Sequence, residues 1–320
     1  MTGFVLGAYV AAPPGFFDDD DLARGWFGLL RDEPLVGGLE LAWDRELFAD
    51  GAGRLAGLVD PGWSSVVTMM AGVSARLSAD SRYGLASADE PSRLLAVADV
   101  TAAHREIMAL RAQLGPHAVR AIQIQSSPSA SAGASPDAFT RSLRTVLELG
   151  WDDVAVVVEH CDGSDGVQPQ KAFLPLRTEI ECLQHAAGLA AHGARSGHSV
   201  NWARSVIEAR SADGAEQAIR TLQDERALTG LMFSGVAPVA TAFGGEWRDS
   251  HLPVADGGDG SEPASLLTSD RVARALALVG SDVDYVGAKV SARKVAGLAL
   301  RERLAPSLAT LRVMAETVPA

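Results

Sequence analysis

Val154-Ala155-Val156-Val157-Val158-Glu159-His160-Cys161-Asp162 sets five apolar residues, four of them valine, directly before four ionisable ones. A short β-branched run of this kind reads as a strand buried on both faces. Ending such a strand on Glu, His, Cys and Asp is expensive unless those groups line a cleft or bind something. In a barrel of parallel strands the C-terminal strand ends form the active-site face. The stretch therefore points both to a fold and to the place where chemistry would sit.

Comparable runs recur along the 320-residue chain. Strands are expected over residues 4–9, 38–43, 65–69, 119–125, 154–159, 199–202, 230–234 and 285–290. Helix-like stretches separate them, among them 94–114, 136–149, 174–192, 215–227 and 291–315. Eight strands alternating with helices predict a single (β/α)8 barrel domain spanning residues 1–320, an α/β fold. An open doubly wound sheet would usually carry a glycine-rich phosphate turn after its first strand. Here Val10-Ala11-Ala12-Pro13-Pro14-Gly15 follows instead. Two segments interrupt the rhythm, 71–90 after strand three and 243–265 after strand seven. Both are expected as long loops over the barrel mouth, acting as lids or substrate walls.

The composition, 47% hydrophobic and 21% charged, is that of an ordinary globular chain with ample core. A net charge of −12 without a Lys/Arg cluster argues against nucleic acid as a partner. No long apolar run or basic leader points to a membrane or to export. The only two cysteines, Cys161 and Cys182, fit a reducing cytoplasm rather than a disulfide framework. Whether the chain forms a homo-oligomer is left open.

Polar residues gather at the expected strand ends: Glu40 and Trp43, Gln125 and Ser126, Glu159, His160 and Asp162, Asn201, Trp202 and Arg204, Ser234, and Lys289. The loop after strand seven adds Trp247, Asp249 and His251. Carboxylate, imidazole and carboxamide groups around one mouth suit a small hydroxyl-rich molecule, because each hydroxyl both donates and accepts. The tryptophans could offer apolar faces to a sugar ring. Successive strand residues face opposite sides, so Glu159 and His160 cannot both face the axis. Glu159 continues the phase of Ala155 and Val157 and is expected inside. Glu159, Asp162 and His251 are conceivable ligands for one divalent ion such as Mg, Mn or Zn, although no HxxxH or HExxH spacing occurs. Structural alternatives stand beside these roles: Glu40 could pair with Lys289 or Arg204, His160 could cap a helix, and the tryptophans and Cys161 could belong to the core.

Glu159-His160-Cys161-Asp162, Asn201-Trp202-Ala203-Arg204-Ser205, Phe233-Ser234-Gly235 and Ser265-Leu266-Leu267-Thr268 resemble a bacterial family of TIM-barrel proteins described as a domain of unknown function. Gly7-Ala8-Tyr9, Gly38-Leu39-Glu40 and Tyr83-Gly84-Leu85-Ala86-Ser87 resemble it too. More distantly, the chain is similar to the xylose isomerase-like barrels, which include sugar isomerases and epimerases and usually bind one metal through Glu, Asp, His and Glu at strand ends. The Asp and His of that set have no clear match on strands six and seven. Gln125-Ser126-Ser127-Pro128 also stands where the nearer family tends to show His-Ser-Ala-Pro.

The reading these features support is a sugar isomerase or epimerase working by proton transfer next to a carbonyl. Glu159 would be base or metal ligand, and His160 or His251 a second acid/base. Lys289 or Arg204 would stabilise enolate charge. Glu40, Trp43, Gln125, Ser126, Asn201, Trp202, Arg204, Ser234 and Trp247 would contact substrate. A lyase using the same enolate chemistry and a non-catalytic binding barrel are the alternatives.

Overall fold

Eight parallel strands pair in sequence order and close on themselves, β1 (Phe4–Leu6) against both β2 (Val36–Ala42) and β8 (Tyr285–Ala288). Between them run β3 (Ser65–Thr68), β4 (Val119–Ile124), β5 (Ala155–His160), β6 (Ser196–Asn201) and β7 (Leu228–Phe233). The computed structural model describes residues 3–43, 51–281 and 283–317. Its helices are α1 (Asp20–Arg31), α2 (Ala52–Ala56), α3 (Met70–Ala79), α4 (Glu90–Leu114), α5 (Pro136–Leu147), α6 (Leu176–Leu189), α7 (Trp202–Ala209), α8 (Asp213–Asp224), α9 (Ser269–Val279) and α10 (Leu300–Thr317). The chain is a (β/α)8 barrel.

Alternation along the strands divides the core in two. Val5, Val66, Ala121, Ala155, Val157, Met232 and Tyr285 pack with one another inside the barrel. Val154, Val156 and Val158 face the other way, into the layer shared with the helices. Interior volume is rationed by side-chain size. Gly230 leaves room for the Tyr285 ring, and the Tyr285 hydroxyl accepts from Gln123 Nε2 at 2.9 Å across the interior.

Several boundaries differ from expectation for local reasons. The first strand ends at Leu6, and Ala8–Val10 forms a 3-10 turn that carries Tyr9 over the mouth. The segment after strand three is not an open loop: α3 starts at Met70, directly after β3. Strand six stops at Asn201, whose side chain caps α7 by accepting from Arg204 N at 3.4 Å, so Trp202 is the first helical residue. After β7, residues 234–268 contain neither helix nor strand beyond an isolated bridge between Gly235 and Leu252. That segment builds a small core of its own from Ala237, Phe243 and Leu252.

A methyl group on Gly230 would lie 2.2 Å from Cζ of Tyr285. Gly230→Ala is expected to cost about 1–3 kcal/mol, the usual penalty of overpacking. Gly28, within α1, has nothing within 4 Å of an added methyl. Gly28→Ala should gain roughly 0.5–1 kcal/mol. Urea unfolding of both variants checks the pair; equal stabilities would show that the interior has slack at Gly230.

Candidate active site

Glu159 lies at the end of β5 with its carboxylate inside the barrel, as its phase with Ala155 and Val157 requires. It is 1% exposed, and both oxygens are held by carboxamides. Gln125 Nε2 donates to Oε2 at 2.8 Å, and Asn201 Nδ2 donates to Oε1 at 3.1 Å. No lysine, arginine or histidine nitrogen approaches it within 4.0 Å among the described residues.

Around Glu159 opens a cavity of about 250 Å³, lined also by Tyr9, Cys161, Lys171, Asn201, Arg204, Asp249, His251 and Lys289. Hollows of about 390 and 450 Å³ lie on the helical exterior, but neither gathers strand-end side chains. The mouth cavity is therefore the candidate site despite its smaller size.

Lys289 follows β8 and is only 2% exposed. Its ammonium stands 3.3 Å from Glu40 Oε2 and 5.1 Å from the centre of the Tyr9 ring. A side chain at Gly7 would meet Glu40 Oε2 at 2.7 Å, so the bare backbone of Gly7 makes room for the pair. Burial pushes the Glu40 carboxyl up to about 7, against the opposing pull of Lys289. Burial pulls Lys289 down, but the charges of Glu40 and Glu159 and the hydrogen bond to the Tyr9 hydroxyl outweigh it and hold the ammonium protonated.

The loop after β7 supplies the opposite wall. Arg204 is clasped between Asp162 at 2.8 Å and Asp249 at 2.7 Å. Burial would raise Asp249, but Arg204 and His251 bring it down to about 2. His251 Nδ1 is 2.9 Å from Ser234 Oγ and 3.2 Å from Asp249 Oδ1. Burial lowers its imidazole to about 4, the Asp249 charge only partly offsetting this, so the ring is neutral near pH 7. The Asp249 carboxylate favours the proton on Nδ1 and leaves Nε2 as the free lone pair.

Other expected site residues lie elsewhere. His160 points out of the barrel, with Nδ1 2.7 Å from Glu179 Oε2 and Nε2 3.1 Å from Glu208 Oε2. Ser126 is on the same outer side, donating to Glu179 Oε1 and accepting from Leu174 N at 3.2 Å. Neither reaches the cavity, because strand alternation turns both away. Trp202 is fully buried in the helix layer, and Trp43 packs beside Gly72. Trp247 lies under the Arg210 guanidinium, 4.9 Å from its ring centre. None of the three tryptophans lines the cavity. Glu40, Gln125 and Ser234 stand one contact behind it, holding Lys289, Glu159 and His251. Asp162 Oδ2 is occupied by backbone N–H groups of Gln170, Lys171 and Ala172, which fixes the loop after β5.

That loop brings in Lys171, a residue no local motif marks. Its Nζ is 3.3 Å from Ser74 Oγ on α3. Tyr9 was equally hidden, reading as the end of a strand. Cys161 faces the cavity instead of the outer core, two residues beyond Glu159 in the same phase, and burial pushes its thiol well up.

The donor set does not suit a divalent ion. Among the described residues no three His, Cys, Asp or Glu side chains converge to hold one. Asp162 is saturated by three N–H groups and Arg204, and Glu159 and His251 face a lysine-rich mouth.

A closed parallel barrel with an ionisable pocket at its C-terminal mouth, the chain shares its fold with xylose isomerase-like barrels. The chain itself belongs to the family described as domain of unknown function DUF4862, whose profile matches residues 5–305. It is similar to the uncharacterized protein STM3670 of Salmonella typhimurium strain LT2, with 32% identity over 278 residues, covering 85% of this chain and 83% of that one. Among the solved structures that share the fold at low identity are two with described chemistry. One is the IolI protein with a bound zinc atom, with a TM-score of 0.60, 10% identity and full coverage of both chains. The other is the 3-keto-D-glucoside 4-epimerase YcjR from E. coli, with a TM-score of 0.56 and 13% identity, covering 97% of this chain and 98% of that one. Among the described residues no helix is long and apolar enough to cross a membrane.

The outer histidine makes a stability prediction. Burial lowers His160, but Glu179 and Glu208 outweigh it and push it up to about 10. A pKa raised above the unfolded value of about 6.5 gives stability that is complete below that pH and lost as pH rises toward 10. The stability of the wild type should fall across this window with a contribution of up to about 1.4 kcal/mol per pH unit. His160→Gln should lack that contribution. Parallel pH–stability curves for the two proteins would show that the imidazole is uncharged in the fold.

Proposed function

We propose that this barrel is a sugar isomerase or epimerase that moves a proton next to a carbonyl. The observation that carries the reading is Glu159. It is a buried carboxylate with no ion-pair partner among the described residues, oriented by two amides, and it faces a cavity that also holds the Lys289 ammonium. A base needs a free lone pair beside the substrate carbon, and enolate formation needs a positive group beside the substrate oxygen. Glu159 takes the proton from the carbon next to the carbonyl, and the C–H electron pair moves into the enolate. Lys289 stabilises the charge that develops on oxygen. Return of the proton from Glu159 to the neighbouring carbon isomerises the sugar, whereas epimerisation takes a proton from a second acid on the opposite face of the same carbon while Glu159 keeps the one it removed. The Nε2 lone pair of His251 is suited to carry the hydroxyl proton between adjacent substrate oxygens. Asn201, Arg204 and Lys171 supply hydrogen bonds to further hydroxyls. The shared fold with a sugar epimerase supports the class of substrate.

Solvent deuterium exchange into keto and aldo sugars tests this. Glu159→Gln keeps the shape and removes the charge, and exchange should fall by about 10²–10⁴. Because Glu159 rests on neutral amides, the melting temperature should change little. Equal exchange by both proteins on a sugar the wild type turns over would remove Glu159 from the chemistry. Loss of stability with unchanged specific activity would make it a structural residue.

A further inference from the structure

We propose that this barrel uses no catalytic divalent ion, and that the Lys289 ammonium supplies the positive charge a metal would bring to the mouth. The proposal rests on the proton-transfer reading only for the role of Lys289; the absence of a metal site stands on the donors themselves.

An oxygen-preferring ion needs several acceptor atoms turned toward one point. Here the acceptors on the cavity, Glu159, Asp249 and His251 among the described residues, do not converge on one point to hold an ion, and the carboxamides are committed elsewhere. Asn201 presents Nδ2 to Glu159 at 3.1 Å while its Oδ1 accepts from Arg204 N at 3.4 Å. Rotating the amide to offer oxygen to an ion would lose both the Glu159 contact and the α7 cap. Gln125 likewise presents Nε2 to Glu159. Asp162, the nearest carboxylate in sequence, has Oδ1 on Arg204 and Oδ2 on backbone N–H groups. Asp249 has Oδ2 on Arg204 at 2.7 Å and Oδ1 beside His251 Nδ1 at 3.2 Å. Among the described residues, Glu159 is thus the one carboxylate lining the cavity that is bound by neutral groups alone.

The remaining strand-end position is decisive. β8 offers a lysine at this level, and Lys289, Arg204 and Lys171 place three cationic side chains on one cavity. Glu40, 3.3 Å from the Lys289 ammonium, is 1% exposed and does not line the cavity, whereas Lys289 does. The carboxylates nearest these cations are engaged by them, Glu40 by Lys289 and Asp162 with Asp249 by Arg204, so a dication beside Glu159 would have to compete with those pairs. The ammonium has the properties the role requires. It is buried, it is anchored by Glu40 and Tyr9, and it shares the cavity with the proposed base.

Protein stripped with EDTA is titrated with Zn²⁺, Mn²⁺ and Mg²⁺ by calorimetry and followed by thermal melting. No stoichiometric binding and no shift in melting temperature are expected for any ion. One equivalent of ion bound by wild type and released by Glu159→Gln would overturn the proposal, whether or not any sugar is turned over. A second arm uses the double variant Glu40→Gln with Lys289→Met, which removes the ion pair without stranding a buried charge. Its deuterium exchange should fall by about 10²–10³, the usual worth of one charge-stabilising donor. Wild-type exchange should meanwhile be the same with and without EDTA. Exchange that EDTA abolishes and one ion restores, or a double variant as active as wild type, would overturn the assignment of the charge to Lys289.

Discussion

The two-residue period of β5 inside a closed barrel is the constraint on which both sides of this structure depend. Ala155, Val157 and Glu159 face the interior, while Val156, Val158 and His160 face the helices. The polar groups that end the strand are met by different partners on each side. Inside, Glu159 meets two carboxamides. Outside, His160 meets two carboxylates from α6 and α7. A slip of one residue would bury an imidazolium among amides and a carboxylate between two others, so the register of β5 is enforced by charge as well as by apolar packing.

The mouth is built from charges that mostly neutralise one another. Glu40 holds Lys289, and Asp162 with Asp249 holds Arg204. Burying such pairs is costly unless each charge is satisfied, and here each partner is fixed by a different strand or loop. Two cavity groups stand outside this scheme among the described residues. Glu159 rests on amides, and Lys171 rests on the Ser74 hydroxyl. These two meet a substrate without an ion-pair partner, while Lys289 lines the same cavity from its pair with Glu40.

The segment after β7 serves the site as a wall. Ala237, Phe243 and Leu252 anchor it, and the bridge between Gly235 and Leu252 ties its start to its middle beside Ser234. This internal support positions Asp249 and His251 from a region with no regular secondary structure. Asp249 then reaches Arg204 on α7 and couples the wall to the barrel. Relatedness to the DUF4862 family extends over residues 5–305, so this arrangement lies within the shared part of the chain.

The eight-strand rhythm and the inward phase of Glu159 were legible in the sequence, because hydrophobic periodicity is a local property and alternation has one period. The pairing of Glu40 with Lys289 was open to inference as one of two options for a carboxylate in an apolar strand. Alternation also turned His160 away from the axis, but its partners Glu179 and Glu208 and the sites of Ser126 and Trp202 were not legible, since helix contacts and strand ends leave no period to read. Asn201 ends its strand by capping a helix, and that carries Trp202 outward into the core. Tyr9 enters the mouth through a 3-10 turn, and Lys171 through a loop folded around Asp162. The sequence by itself determined the barrel and the strand end where chemistry would gather. Only the tertiary structure decided which ionisable groups share the cavity, because their positions follow from caps, turns and long-range hydrogen bonds that leave no periodic trace.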